Sequence, residues 1–432
     1  MCEGCARGQP ACGDGARTAG ARGDGASPSG SALVADAAGA PRDARWYVVC
    51  TLLQLMTTNG HGRLRIAQVA PLHESVPPRL YGGTERIVSY LTEELVAAGH
   101  DVTLFASGDS CTAARLVPGC PHALRLANCA DPLAPHLAMV EQVARRARDF
   151  DLVHFHIDYL HFPVSSRERY RHVTTLHGRL DLPDIAPVFA RFGDLPVVSI
   201  SDAQRAPLPE LAWQATVHHG LPADLYRFEP RPGDYLAFLG RISPEKGIDQ
   251  AIEIARRTGH RLRVAAKIDR ADRDYYTRCI AAKLRQPHVE YLGEIGEPDK
   301  QELLGGARAL LFPINWPEPF GMVMVEAMAC GTPVIAYRGG SVPEVIEPGV
   351  SGFICDGIDR AVAAVERIHE LSRAACRRAF DQRFTAARMA ADYTAVYRRL
   401  LQHGERDDHG HDRIQAGESR GLLDPRHQLA SR

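Results

Sequence analysis

Two carboxylates eight positions apart are the most pointed chemical feature of this 432-residue chain. In the run Pro317-Glu318-Pro319-Phe320-Gly321-Met322-Val323-Met324-Val325-Glu326, a helix is expected to start near Phe320 or Gly321. Glu318 then sits in the loop before it and Glu326 about two turns inside, while the free backbone N–H groups of the first turn suit an anion or a set of hydroxyls. A second run, Gly240-Arg241-Ile242-Ser243-Pro244-Glu245-Lys246-Gly247, follows a strand and opens another helix. A cation at a helix start opposes the helix dipole, so Lys246 implies a compensating anion. Arg241 adds a planar fork to that point charge. A leaving diphosphate gains negative charge as its bond breaks, so two fixed cations beside it stabilise the transition state more than the ground state.

A third element, Tyr81-Gly82-Gly83-Thr84-Glu85, follows the first strand. Paired glycines let backbone amides approach a phosphate or sugar closely, and Thr84 is a fair helix N-cap. His177, in Thr175-Leu176-His177-Gly178, falls at the carboxyl end of a strand, where ligands of open α/β sheets bind. His154, His156, Asp158, Asp202 and Arg205 also lie near strand ends and are candidates for the same cleft. Lys267, at the end of another strand, is placed to reach nucleotide phosphate or base.

Short apolar runs alternating with amphipathic segments from Arg65 onward predict two parallel sheets. The first takes Leu64–Ala70, Asp101–Ala106, Leu152–Ile157, Val173–Leu176, Val197–Ile200 and Thr216–His218. Between its first two strands, Val88, Leu91, Leu95 and Ala98 form one apolar helical stripe. Phe228 to Asp234 (FEPRPGD) reads as a linker. The second sheet takes Leu236–Gly240, Leu262–Ala266, Val289–Leu292, Ala309–Phe312, Val334–Tyr337 and Phe353–Cys355, and its first helix buries Ile248, Ile252 and Ala255. Phe384 to Leu401 is expected to be an amphipathic helix whose basic face, with Arg388, Arg398 and Arg399, is solvated or weakly touches anionic lipid.

On these three motifs the chain resembles the family 4 (group 1) glycosyltransferases of the GT-B fold. The match is to their Glu-x7-Glu motif with its EPFG core, continuing through Glu326-Ala327-Met328-Ala329-Cys330-Gly331-Thr332-Pro333 to Gly339-Gly340 and Pro343-Glu344. The resemblance implies two doubly wound Rossmann-like α/β domains facing a central cleft. Residues 63–227 would form the acceptor domain and 228–382 the nucleotide-sugar donor domain, followed by a helix over 383–402. It implies that Glu318 and His177 lie against the transferred sugar and that Arg241 and Lys246 grip the diphosphate. Glu326 would accept from the ribose, and Gly82, Gly83, Lys267, Phe320, Gly321 and Met322 complete the donor site. Many family members carry a Gly-rich turn where Lys267 stands, so its role stays open. The implied reaction is retaining transfer of a hexose from a nucleotide diphosphate sugar, UDP-sugar favoured over GDP-sugar, to a glycan, lipid or small-molecule acceptor, with no metal and no cofactor. A nucleotide-sugar epimerase and a non-catalytic nucleotide-sugar-binding module are the alternatives. A dinucleotide oxidoreductase is disfavoured because no G-x-G-x-x-G follows a strand.

Fifty-one basic and fifty-two acidic residues leave a formal net charge of −1, which excludes a broad electrostatic footprint for nucleic acid. Eleven cysteines, mostly single and in apolar settings, read as reduced cytoplasmic thiols. Cys2 and Cys5 have no second pair at zinc-ligand spacing. Asp149-Phe150-Asp151 and Asp272-Arg273-Asp274 fit a D-x-D metal motif, but both fall where the cleft is not expected. The run Trp46 to Met56 is short of the ~20 apolar residues a membrane span needs. Residues 1–62 are expected to be a disordered extension, with Met56 a candidate start, and residues 403–432 a polar tail.

Overall fold

The computed structural model describes residues 62–80, 82–168 and 170–418. Expectations for the N-terminal extension, the Cys2–Cys5 pair, Met56 and Tyr81 lie outside the described residues. The chain builds two all-parallel sheets with helices packed on them. The first contains β1 (Arg65–Val69), β2 (Asp101–Ser107), β3 (Arg115–Cys120), β4 (Leu152–Phe155), β5 (His172–Thr175), β6 (Val197–Ser199) and β7 (Trp213–Thr216) in the order β3-β2-β1-β4-β5-β6-β7. The second contains β8 (Tyr235–Arg241), β9 (Arg261–Lys267), β10 (Val289–Gly293), β11 (Ala309–Phe312), β12 (Val334–Tyr337) and β13 (Gly352–Cys355) in the order β10-β9-β8-β11-β12-β13. In both, the chain winds outward from the first strand to one edge and then returns to build the other, so the switch point lies beside that first strand. Such reversal opens a crevice at the carboxyl ends of the strands.

β3 is absent from the expected set, and its own composition explains why. It is an edge strand that carries Pro118 and Gly119 and buries no side chain fully, so no apolar run marks it. β7, the opposite edge, lies three residues earlier than expected, and Val217 and His218 belong to the loop after it. Central strands such as β1, β4 and β11 are buried along most or all of their length. Their near-continuous apolar runs made them readable.

The helix Gly83–Ala97 buries Val88, Leu91 and Leu95 against the first sheet, whereas Ala98 is its exposed C-cap. The helix Ile248–Thr258 buries Ile248, Ala251, Ile252, Ile254 and Ala255 and stops at Gly259, which takes the left-handed conformation that caps helices. The helix Ala386–Glu418 carries helical backbone past residue 402, where the polar tail was expected to begin. Its Met389, Tyr393, Val396 and Tyr397 are core residues packed with Ile66, Ile87, Leu91 and Val198 of the first sheet's layer. The chain therefore crosses twice between the lobes. At the second crossing Leu221 and residues 384–386 exchange backbone bonds: Leu221 N donates to Phe384 O (2.9 Å) and Ala386 N to Leu221 O (2.7 Å). The expected solvated basic face is partly used in this docking, since Arg388 donates to the carbonyl of His218 (2.7 Å) and Arg399 to that of Gln214 (2.8 Å). Among the described residues no helix is long and apolar enough to cross a membrane.

Candidate active site in the cleft between the lobes

A cleft of ≈360 Å³ lies between the carboxyl ends of the two sheets. From the first lobe it takes Gly82, Gly83 and His177, and from the second Arg241, Lys246, Lys267, Glu318, Phe320, Gly321, Met322 and Glu326. All eleven residues that the motifs and the resemblance assigned to the site thus line one cavity.

Two turns place the charged groups. Gly247 has φ of 68°, and a Cβ there would come within 1.9 Å of the Pro313 carbonyl oxygen. Only glycine lets the loop carrying Arg241 and Lys246 sit this close to the segment after β11. Gly340 does the same beside Glu318, with φ of 50° and a virtual Cβ 2.2 Å from the Glu318 carbonyl oxygen. The helix Met322–Ala329 then starts with Gly321 as its left-handed N-cap, leaving first-turn amides at the cleft wall and Glu326 in its second turn.

Lys246 Nζ contacts Glu318 Oε2 at 2.5 Å, and the same oxygen accepts from Trp316 Nε1 at 2.9 Å. The ammonium also stands 4.5 Å from the centre of the Trp316 ring, and Glu318 is only 8% exposed. Arg241 is embraced by three carboxylates: it donates to Glu245, with Asp272 at 3.2 Å and Asp269 at 3.7 Å. Lys267 Nζ pairs with Asp269 at 2.7 Å. Asp272 is therefore beside the cleft's arginine, which corrects the expectation that its D-x-D lies elsewhere. Burial raises the Asp272 carboxyl, although Arg241 pulls against it. Asp151, from the other D-x-D, forms an ion pair with Arg65 at 2.7 Å. Among the described residues no group of three His, Cys, Asp or Glu could hold a metal ion.

At the other end of the cleft, Lys300 Nζ contacts Glu326 Oε1 at 2.8 Å and Glu297 Oε2 at 3.4 Å. Glu297 also receives Tyr226 and Arg86, the latter at 2.5 Å from the opposite lobe. Burial opposes its charge, yet Lys300 and Arg86 hold Glu297 below the ordinary carboxylate value. Glu344 makes a second bridge: its carboxylate accepts the amides of Asp202 and Ala203, both at 2.8 Å, at the start of a short helix of the first lobe. Ser201 Oγ donates to the Pro319 carbonyl at 2.7 Å beside it.

The histidines behave differently from the charged groups. His177 lines the cleft, stacked on His219 with ring centres 5.2 Å apart, and burial lowers it to about 3. His154 and His156 lie beneath the cleft, wholly or almost wholly buried, and burial holds both well below the ordinary imidazole value. Asp158 is half-buried, at φ of 47°, and its carboxylate accepts from the His177 amide at 3.4 Å. Asp202 and Arg205 are not cleft residues. Asp202 accepts from Thr216 at 2.5 Å, and Arg205 lies over Trp213 at 5.2 Å.

Arg86, Lys300, Trp316, Arg179 and His219 line the cleft without having been anticipated. Trp316 stands two residues before Glu318 and was within reach of the motif. Arg86 and Lys300 come from opposite lobes and become a site only when the lobes face each other.

Comparison with known proteins agrees with this architecture. The model described as "Glycosyl transferases group 1" matches residues 228–383, and "Glycosyltransferase Family 4" matches residues 81–197. The chain is 27% identical over 383 residues to glycogen synthase of Mycobacterium tuberculosis, covering 73% of this chain and 89% of that one. A glycosyltransferase involved in avilamycin A biosynthesis superposes with a TM-score of 0.60 at 25% identity, covering 78% of this chain and 98% of the other. Sucrose-phosphate synthase from Thermosynechococcus elongatus shares the fold at 20% identity, with a TM-score of 0.63 over 79% of this chain and 100% of that one.

Proposed function

This chain belongs to the family 4 (group 1) glycosyltransferases of the GT-B fold, and on that premise we propose that it transfers a hexose from a nucleotide diphosphate sugar with retention of anomeric configuration. The observation that carries this reading is the juxtaposition of Lys246, Glu318 and Trp316 at one oxygen, with Arg241 and Gly82-Gly83 lining the same cleft. UDP-sugar is the favoured donor and GDP-sugar the second; the acceptor is a glycan, lipid or small molecule.

In the donor complex the diphosphate competes with Glu318 for Lys246 and with the surrounding carboxylates for Arg241. The bond between the anomeric carbon and the β-phosphate oxygen breaks, and its electron pair stays on that oxygen, where the two cations stabilise it. The acceptor hydroxyl attacks the same face, and its proton passes to the departing phosphate. Glu318, released from Lys246, orients the sugar hydroxyls, and Glu326 accepts from the ribose. Two fixed cations already supply the charge compensation that a metal gives elsewhere, so turnover is proposed to be independent of divalent ions. The free thiols of Cys330, Cys355 and Cys376, all buried, support a cytoplasmic location.

Thermal stabilisation by a panel of UDP-, GDP- and ADP-sugars tests donor choice, since ligand binding to the folded state raises its melting point. A donor giving product of inverted configuration, or turnover abolished by EDTA, refutes the corresponding part. Unchanged turnover in Glu318→Ala removes Glu318 from the mechanism.

A further inference from the structure

Beneath His177 runs an unbroken chain of buried hydrogen bonds. His177 Nε2 meets His156 Nδ1 at 2.9 Å, and His156 Nε2 meets Gln68 Oε1 at 2.8 Å. Gln68 Nε2 donates to Tyr397 Oη at 3.1 Å, and Tyr397 Oη meets His154 Nδ1 at 2.7 Å. His154 Nε2 meets Thr175 Oγ1 at 2.8 Å, and Thr175 meets Tyr393 Oη at 2.9 Å. Gln68, His154, Thr175, Tyr393 and Tyr397 are each 0% exposed and His156 is 2% exposed. With no solvent to absorb a misplaced hydrogen, each contact needs one donor and one acceptor.

Counting hydrogens sets the direction. Thr175 is the only hydrogen-bond partner of Tyr393 Oη among the described residues. If the Gln68 nitrogen faces Tyr397, then Tyr397 must donate to His154 Nδ1, and His154 Nε2–H to Thr175. One of the Thr175 and Tyr393 hydroxyl hydrogens is then left without an acceptor. Turning the isosteric amide over removes the defect. Tyr393 donates to Thr175, Thr175 to His154 Nε2, His154 Nδ1–H to Tyr397, and Tyr397 to the Gln68 oxygen. The Gln68 nitrogen then donates to His156 Nε2, and His156 Nδ1–H donates to His177 Nε2. Every ring and hydroxyl hydrogen from Tyr393 to His156 is used once, and neutral His177 must carry its own hydrogen on Nδ1.

We propose that this relay, anchored on the C-terminal helix, locks His177 in its Nδ1–H tautomer, so that it offers the bound sugar a hydrogen-bond donor and no basic lone pair. Gln68, His156 and Tyr397 are thus positioning residues that act through His177. The proton released by the acceptor must go elsewhere, which leaves the departing phosphate to take it. This inference rests on the cleft being the nucleotide-sugar site, but the relay itself is measurable without a substrate.

Ring nitrogen NMR on the full chain with labelled histidine, assigned by loss of signals in His156→Asn and His177→Asn, reads the tautomers directly. Protonated Nδ1 and unprotonated Nε2 are expected in His154, His156 and His177; a protonated Nε2 on His177 overturns the proposal. In Gln68→Glu the carboxylate can only accept, so His156 and His177 should both switch to Nε2–H, and donor kcat/KM should fall about 30-fold, the effect of facing a lone pair with an oxygen. If Gln68→Glu does not fold, Tyr397→Phe removes the hydrogen that orients the amide, and mixed tautomers at His177 are expected. A His177 ring unchanged in whichever variant folds sinks the relay. Should the tautomers appear as described while no nucleotide sugar binds, the donor-site reading fails and the relay stands; turnover with Nε2–H His177 gives the reverse.

Discussion

The two walls of the cleft solve the same problem, holding polar groups out of water, by opposite means. The second lobe keeps its groups charged: Lys246 against Glu318, Arg241 among Glu245, Asp269 and Asp272, and Lys300 between Glu297 and Glu326. Apart from Arg86 and Arg179, the first lobe keeps its titratable groups at and near the cleft neutral, with His154, His156 and His177 all pushed down by burial and the buried Glu85 carboxyl pushed up to about 7. A buried charge is tolerable only when paired, whereas a neutral ring needs only its hydrogen bonds. The difference suits a ligand with an anionic end and an uncharged polyhydroxyl end. Ion pairs can exchange partners with a phosphate, and neutral donors and acceptors match hydroxyls.

The comparison is broken most sharply at Lys246. Replacing it by Ala removes a cation from the leaving group and is expected to lower kcat about 10³-fold, measured as nucleotide release at saturating donor. On the neutral wall the strongest effect is on pH dependence. The folded Glu85 carboxyl titrates at about 7 against an ordinary 4.5 because burial disfavours its charge. Folding is thus favoured fully below pH 4.5, and that contribution is lost as pH rises through 7, a loss of roughly 3 kcal/mol over the window. Glu85→Gln should therefore be more stable than the parent in urea at pH 8 and no more stable at pH 4; equal stability at both values denies that the first lobe keeps this group neutral.

Arg86 tests the seam between the walls. Arg86→Met leaves Glu297 with Lys300 as its only ion-pair cation among the described residues and should destabilise the closed protein by about 2 kcal/mol, read as a lower melting temperature and weaker donor binding. The smallest effect is expected at His177 itself. His177→Phe deletes one neutral hydrogen bond and should reduce donor kcat/KM about tenfold, with little change in salt dependence. A steep change in salt dependence there would mean that His177 also works by charge.

Much of this architecture was legible because local patterns and local motifs agree. Buried central strands are apolar runs, and the helices after β1 and β8 carry regular stripes. Each of the motifs around Glu318 and Arg241 spans no more than ten residues, so its geometry follows from one turn and one helix start. β3 was missed because an edge strand with Pro118 and Gly119 has no apolar pattern to read. Asp202 and Arg205 were misplaced because proximity to a strand end does not say which way a side chain turns.

By itself, then, the order of residues determined two doubly wound sheets, the loops that carry Lys246, Arg241 and Glu318, and the glycines that let those loops approach. Backbone conformation responds to neighbours a few positions away, and so it leaves a periodic record. What only the tertiary structure decided is which distant groups meet: Arg86 with Glu297, Glu344 with the amides of Asp202 and Ala203, and Tyr397 with His154 and Gln68. Those contacts span from more than one hundred to more than three hundred residues, and no periodicity records them. They exist because the C-terminal helix returns to the first sheet and the two lobes face one another across the cleft.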